Sequence, residues 1–188
     1  MTTPLHVLGF SGSLRKASLN SGLLRAAASV LPAGMTFEIF DLNPLPFYNS
    51  DVATVGWPEP VQQFHARLAA ADALLIACPE YCYSVTGALK NAFDWASLGT
   101  REKPSPLNNK PLAILGAGGQ LGTARAQAHL RQIVLHNNMH PLNEPQVLLA
   151  RVRDKFDDQG NLLDDGIRAQ VRLLLESLAA WTQRLRGA

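Results

Sequence analysis

Within ten residues, Ser11-Gly12-Ser13-Leu14-Arg15-Lys16-Ala17-Ser18-Leu19-Asn20, the chain carries four small hydroxyl or amide side chains, a glycine and two cations. A helix is expected to open at about Asn20. The backbone N–H groups and the positive dipole end at its start favour an anion. Hydroxyls add donors there without bulk, so a phosphate is the natural guest. A plainer role stays open for Ser18 or Asn20, either of which can cap the helix and do nothing else.

A second segment, Pro79-Glu80-Tyr81-Cys82-Tyr83-Ser84-Val85-Thr86-Gly87, sets two aromatics in a polar turn, and an aromatic ring beside a phosphate site points to a stacked heterocycle. A third, Gly116-Ala117-Gly118-Gly119, is a glycine cluster that precedes a helix. Three familiar motifs are excluded by inspection. GxxxxGK[ST] is absent, so the first loop is not that of a P-loop NTPase. Gly9-Phe10-Ser11-Gly12-Ser13 misses the GxSxG nucleophile elbow, because position 13 is Ser. Leu121 stands where a dinucleotide GxGxxG starting at Gly116 needs its third glycine. A mononucleotide site remains as the best reading of the first loop.

Short apolar runs alternate with amphipathic segments and so position these loops. Strands are expected at Leu5–Phe10, Met35–Leu42, Ala73–Ala77, Pro111–Leu115 and within Met139–Leu149. Helices are expected at about Asn20–Leu31, from Pro60 through Ala71, at Gly87–Ser97, Ala124–Asn138 and Asp164–Arg186. The last of these has Leu163, Ile167, Val171, Leu174, Leu178, Trp181 and Leu185 on one stripe, which reads as a sheet-packing face. Asn43–Pro60 is a proline-rich loop, and Gly99–Lys110 a polar one. The β-α alternation predicts an α/β fold with a parallel sheet, right-handed crossovers and helices on both faces. In such folds ligands sit beyond the carboxyl ends of the strands, where residues 11–20, 79–86 and 116–123 fall.

At 188 residues, one domain over 1–188 is the expectation. With 47% hydrophobic and 17% charged residues the chain is neither disordered nor low in complexity. Its net charge of +2 carries no basic stripe, so nucleic acid is not expected as a partner. No apolar stretch reaches the length of a membrane span. Met1-Thr2-Thr3-Pro4 leads into a short apolar run broken by His6, with no basic or long apolar leader, so a cytoplasmic location is expected. Cys78 and Cys82 are four apart, outside the CxxC pattern, and read as reduced thiols. The histidines at 6, 65, 129, 136 and 140 show neither HxH nor HExxH spacing, so no metal is expected.

Four stretches taken together carry a resemblance: GSLRKASLN, Leu45-Pro46-Phe47-Tyr48, PEYCYSVTGALKNAFDW and GAGGQLGTARAQAHLRQ. In that order the chain resembles the NADPH-dependent FMN reductases, above all their chromate- and quinone-reducing members. The resemblance implies a flavodoxin-like doubly wound sheet of five parallel strands in the order 2-1-3-4-5. It also implies noncovalent FMN, with NADPH or NADH as cosubstrate. By that likeness Ser11, Ser13, Arg15, Ser18, Leu19 and Asn20 hold the phosphate. Pro79, Glu80, Tyr81, Cys82, Tyr83 and Ser84 hold the isoalloxazine, and Gly116, Ala117, Gly118 and Gly119 close the other side. A homodimer or dimer of dimers is implied too, with Arg125 at the subunit contact; core packing and a subunit interface are both open for Trp95. Two positions depart from the family pattern: Cys82 stands where Asn is usual, and Ala128 where an aromatic is common.

In such enzymes the flavin performs the hydride transfer and the protein supplies binding, orientation and electrostatics. No side-chain nucleophile or acid–base pair is needed, and none is found. The expected chemistry is hydride from NAD(P)H to flavin N5, then two electrons to a quinone, with chromate, azo dye or free flavin as further small-molecule acceptors, in ping-pong order. Cys82 is expected to be a spectator and Cys78 a core residue. The competing class is a nonenzymatic flavodoxin-type electron carrier. Such carriers have a Thr-rich phosphate loop and an acidic surface, whereas this loop is rich in Ser and Arg and the pI is about 8.7.

Overall fold

The computed structural model describes residues 4–99 and 104–187; Met1-Thr2-Thr3, on which the expected cytoplasmic location partly rests, and residues 100–103 of the expected polar loop lie outside them. Six strands build one parallel sheet: β1 (Leu5–Ser11), β2 (Met35–Phe40), β3 (Ala73–Ala77), β4 (Pro111–Ala117), β5 (His140–Pro141) and β6 (Val147–Leu149). Their order is β2-β1-β3-β4-β5, and β6 also pairs with β4. The expected last strand is thus two pieces on one edge of β4. Pro111 and Leu112 face His140 and Pro141, and Leu115, Gly116 and Ala117 face Val147, Leu148 and Leu149. Five residues, 142–146, loop out opposite Ala113 and Ile114, so the edge cannot stay in register.

Side chains along the central strands alternate between the faces of the sheet. Val7, Leu75, Ala113 and Leu115 point to one side, where α1 (Leu19–Ser29) and α6 (Asp165–Arg186) pack. Leu8, Phe10, Leu74, Ile76, Leu112 and Ile114 point to the other, under α3 (Glu59–Ala70), α4 (Gly87–Ala96) and α5 (Ala124–His136). Coverage on both faces explains why β3 and β4 are apolar without a break. On the second face, the Phe10 ring meets Phe64 edge-on, with centroids 5.5 Å apart.

The buried stripe of α6 runs through Ile167, Val171, Leu174, Leu175 and Leu178, five apolar side chains worth about 2 kcal/mol each before ordering costs. It differs from the expected stripe at its ends. Leu163 is exposed ahead of the helix, and Thr182 is buried in place of Trp181, whose indole N–H donates to His140 O at 3.0 Å. The proline-rich segment contains a short helix, α2 (Ser50–Val55), that sequence periodicity does not reveal because it buries no residue. Asn49 caps it by accepting from the Asp51 amide. Parallel pairing brings the carboxyl ends of β1, β3 and β4 to one rim, and the strand order reverses between β1 and β3.

Candidate active site

The loop after β1 is built by its own small polar residues. Ser11, Ser13, Ser18 and Asn20 are all buried, while Arg15 and Lys16 are exposed and enter no ion pair among the described residues. Ser11 Oγ accepts from the Ser13 amide at 3.1 Å, and Ser18 Oγ from the Ser21 amide at 3.2 Å. Ser18 is therefore the N-cap of α1, as its plainer reading allowed. Each hydroxyl that accepts a backbone bond keeps its own proton to donate, so capping and anion binding are compatible. The amides of Leu19 and Asn20 open the helix ahead of its internal ladder.

Asn20 does something its residue type alone does not announce. Its amide nitrogen donates to Ala117 O at 2.9 Å, and its amide oxygen accepts from Ala117 N at 3.0 Å. The side chain thus clamps the end of β4 to the 11–20 loop, and both ends of its amide are engaged by one peptide unit. A second tie comes from Thr86, whose hydroxyl donates to Gly12 O at 2.7 Å and accepts from the Leu89 amide as the N-cap of α4. A Cβ on Gly12 would lie 2.7 Å from Thr86 Oγ1 and 3.0 Å from Pro79 Cδ, so only glycine admits this close approach.

Tyr81 and Ser84 exchange backbone hydrogen bonds at 3.1 and 3.0 Å, closing a two-residue hairpin. Both central residues, Cys82 (φ 50°) and Tyr83 (φ 62°), are left-handed, as a type I′ turn requires. The turn presents Tyr81, Cys82 and Tyr83 to solvent. Glu80, just before it, accepts from the amides of Arg125 and Ala126 at 3.0 and 3.1 Å. Its carboxylate thereby caps α5, whose own N-cap residue, Thr123, supplies no side-chain capping bond. The Arg125 guanidinium lies 3.8 Å over the Tyr83 ring.

Gly118 and Gly119 both have positive φ and form the far wall. Gly116 is packed instead: a Cβ there would come within 2.0 Å of Thr123 Oγ1 and 2.6 Å of Cys78 O. Glu80, Cys82, Tyr83, Gly119, Gln120, Leu121 and Arg125 line a cleft of about 430 Å³ between the hairpin and this loop. A larger groove of about 800 Å³ lies between α4 and α5 and meets the hairpin only at Ser84 and Val85. Neither is lined by the 11–20 loop, but only the smaller cleft has both the hairpin and the glycine loop as walls, so it is the candidate site.

The structure brings all three expected loops together, through Asn20, Thr86 and Glu80. Sequence reasoning passed over Thr86 as a tie, although a Thr directly before a helix is a cap signal. It also missed Ser84 Oγ beside His129 Nδ1 at 2.9 Å, a pairing across 45 residues that no spacing rule finds. Trp95 is fully buried and donates to Pro46 O at 2.8 Å, so core packing is its role. Asn91, beside it on α4, accepts from the Tyr48 amide and donates to Pro46 O, which holds the Leu45–Tyr48 stretch rigidly. Both cysteines are free. Burial pushes the Cys78 thiol up to about 12, with the Glu80 carboxylate adding to the shift, so Cys78 stays protonated and inert.

Buried hydroxyls with protons to give, a helix N-terminus and Arg15, which enters no ion pair among the described residues, make a donor set for a phosphate. Next to them, exposed tyrosines and a glycine wall without side chains suit a flat ring system. The residues fit FMN. Among the described residues no group of three or more His, Cys, Asp or Glu is placed to hold a metal.

Residues 5–154 match the family model for NADPH-dependent FMN reductase. Over the full length of both chains the sequence is 48% identical to an NAD(P)H-dependent FMN reductase of Pseudomonas aeruginosa. It is 41% identical to an NADPH:quinone oxidoreductase of Arabidopsis thaliana, with 97% of this chain and 94% of that one covered. The fold is similar to that of FerB, a flavoenzyme NAD(P)H:(acceptor) oxidoreductase from Paracoccus denitrificans. That match has a TM-score of 0.84 and 28% identity, over 96% of this chain and 98% of the other.

Proposed function

The chain belongs to the NADPH-dependent FMN reductase family, and from that premise we propose that it reduces quinones at the rim cleft in ping-pong order. It is an oxidoreductase that uses FMN and NAD(P)H. FMN held there would supply the redox chemistry, hydride acceptance from a nicotinamide and two-electron delivery to an acceptor. The residues do the rest. Ser11, Ser13, Ser18 and Arg15 bind the phosphate, together with the first amides of α1. The rigid Tyr81–Ser84 hairpin and the Gly118–Gly119 turn orient the ring between them. Glu80 and Asn20 hold those two walls at a fixed separation.

The observation that carries this reading is one open cleft flanked by both ring-binding loops. A single opening makes donor and acceptor take turns, which is the physical basis for ping-pong kinetics. Its walls are broad and exposed at Tyr83 and Leu121, with no deep shape filter. Small flat quinones fit such a site, and chromate, azo dyes and free flavin are further acceptors of the same reduced centre. The assembly is a homodimer or dimer of dimers, supported by the α4–α5 groove with Phe93 and Ile133 and by the exposed Phe47 and Val55.

The test begins with an absorbance spectrum of the purified protein and an anaerobic NADPH titration. One FMN per chain, bleached by one equivalent of NADPH, is expected. Initial rates with NADPH and a quinone should give parallel double-reciprocal lines. Bound FMN that NADPH and NADH reduce only slowly would make the protein a flavodoxin-type electron carrier instead.

A further inference from the structure

A hairpin late in the chain touches the phosphate loop from behind. Phe156 and Leu162 pair across it, and both are buried. Its turn is closed by the Asp157 carboxylate, which accepts from the Asn161 backbone and side-chain amides at 2.7 and 2.9 Å. The hairpin lies beyond the residues matched by the family model, which end at 154.

The tip of the hairpin meets the first turn of α1 backbone to backbone. Gly160 has φ +76°, and a Cβ on it would stand 2.9 Å from Ala17 C and O and 3.0 Å from Ser18 O. In the other direction, a Cβ on Gly22 would fall 1.9 Å from Gly160 O. Two glycines therefore face each other, and neither admits a side chain. Arg25, one turn further along α1, closes the contact. Its Nε donates to Asn161 Oδ1 at 2.8 Å, and its Nη2 donates to Gly160 O at 3.1 Å and Gln159 O at 3.3 Å.

We infer that the 156–162 hairpin is a brace that fixes the Ala17–Ser18 peptide, and that Arg25 is the positioning residue that locks it. This rests on the reading of the 11–20 loop as the FMN phosphate site. Ser18 is both the N-cap of α1 and an anion donor, so a shift of its peptide moves the hydroxyl and the first helix amides together. Arg25 touches no ligand in this scheme. It acts by holding Gly160 against the loop, and the guanidinium fork reaches three acceptors that a single ammonium cannot span.

The affinity ratio of FMN to riboflavin isolates the phosphate contribution, which a general loss of stability does not move. Both dissociation constants are measured by flavin fluorescence on full-length protein stripped of its flavin, for the wild type, Arg25→Ala and Arg25→Lys. Arg25→Ala is expected to shrink the ratio roughly fivefold, the scale of one or two partly exposed hydrogen bonds, with riboflavin affinity unchanged. Arg25→Lys should remain close to Arg25→Ala. If Arg25→Ala does not fold, Asn161→Ala, which removes one of the three acceptors and the side-chain bond to Asp157, should lower the ratio about twofold. An unchanged ratio in the variant that folds, or its full recovery in Arg25→Lys, overturns the brace. A wild-type protein that binds riboflavin as tightly as FMN overturns the phosphate-loop reading itself.

Discussion

Replacing Asn20 with Ala is expected to loosen two loops at once. The Asn20 amide makes two bonds to one peptide unit, at 2.9 Å to Ala117 O and 3.0 Å from Ala117 N, and both residues are buried. Truncation leaves a buried backbone N–H and C=O without these partners. Each orphaned group costs about 1–3 kcal/mol, so roughly 2–4 kcal/mol is expected in all, allowing for some water entry at the rim. For a domain of this size each kcal/mol lowers Tm by about 2–4 °C, which gives a drop of about 5–15 °C by calorimetry. The same change frees the 116–119 wall from the phosphate loop, so FMN affinity should fall more than about tenfold. Asn20→Asp gives a sharper version. Its carboxylate can still accept from the Ala117 amide, but it opposes Ala117 O and adds negative charge beside the phosphate. FMN affinity should therefore fall in the order wild type, Asn20→Ala, Asn20→Asp, with riboflavin less sensitive to the last step. A Tm for Asn20→Ala within about 1 °C of wild type, or an unchanged FMN affinity, would refute the clamp.

Arg15→Ala should weaken FMN by about ten- to a hundredfold and leave riboflavin nearly unaffected, since a charge-assisted bond is worth about 1.5–3 kcal/mol; equal losses would show that Arg15 does not reach the phosphate. Cys82→Asn should raise Tm by about 1–2 °C, because Asn tolerates the left-handed conformation of that position better than Cys. Cys82→Ser should leave the stopped-flow rate of FMN reduction by NADPH within about threefold of wild type, and a hundredfold drop would make the thiol a participant. The Asp157 carboxyl is held below its usual range first by the Asn161 backbone amide and then by the Asn161 side chain. A depressed native pKa contributes stability that is present above the unfolded value of 3.8 and is lost as pH falls through the lower native value. Asp157→Asn should therefore flatten the acid limb of Tm against pH below about 4, and an unchanged limb would count against it. Light scattering should return a multiple of the 20.4 kDa chain mass; a monomer at micromolar concentration would remove the dimer.

Much of the architecture is legible in the residue pattern, for a local reason. ALLIA at 73–77 is apolar on every residue because both faces of a central strand are covered. Val61, Phe64 and Leu68 follow the helical period because α3 buries one face only. The edge beyond β4 is harder to read, because pairing partners there are chosen by register, and β5 and β6 are too short to carry a period of their own. α2 escapes for the opposite reason, since a helix that buries nothing has no stripe to detect.

The same division holds at the site. The chemical types were visible in the chain: serines, arginine and a helix start for a phosphate, tyrosines for a ring, glycines for close approach. What each residue does with its polar atoms was not. Asn20 reads as an anion ligand until Ala117, 97 positions away, is seen to engage both ends of its amide. Glu80 reads as part of a ring-binding turn until α5 arrives with amides for it to cap. Asn, the usual family residue at position 82, suggests a hydrogen bond to the ring, whereas the backbone there is left-handed, a conformation Asn tolerates. Composition and spacing determine which groups are available, because those are properties of neighbours along the chain. Tertiary structure decides which groups remain free for a ligand, because a hydrogen bond formed with a distant backbone is no longer available to anything else.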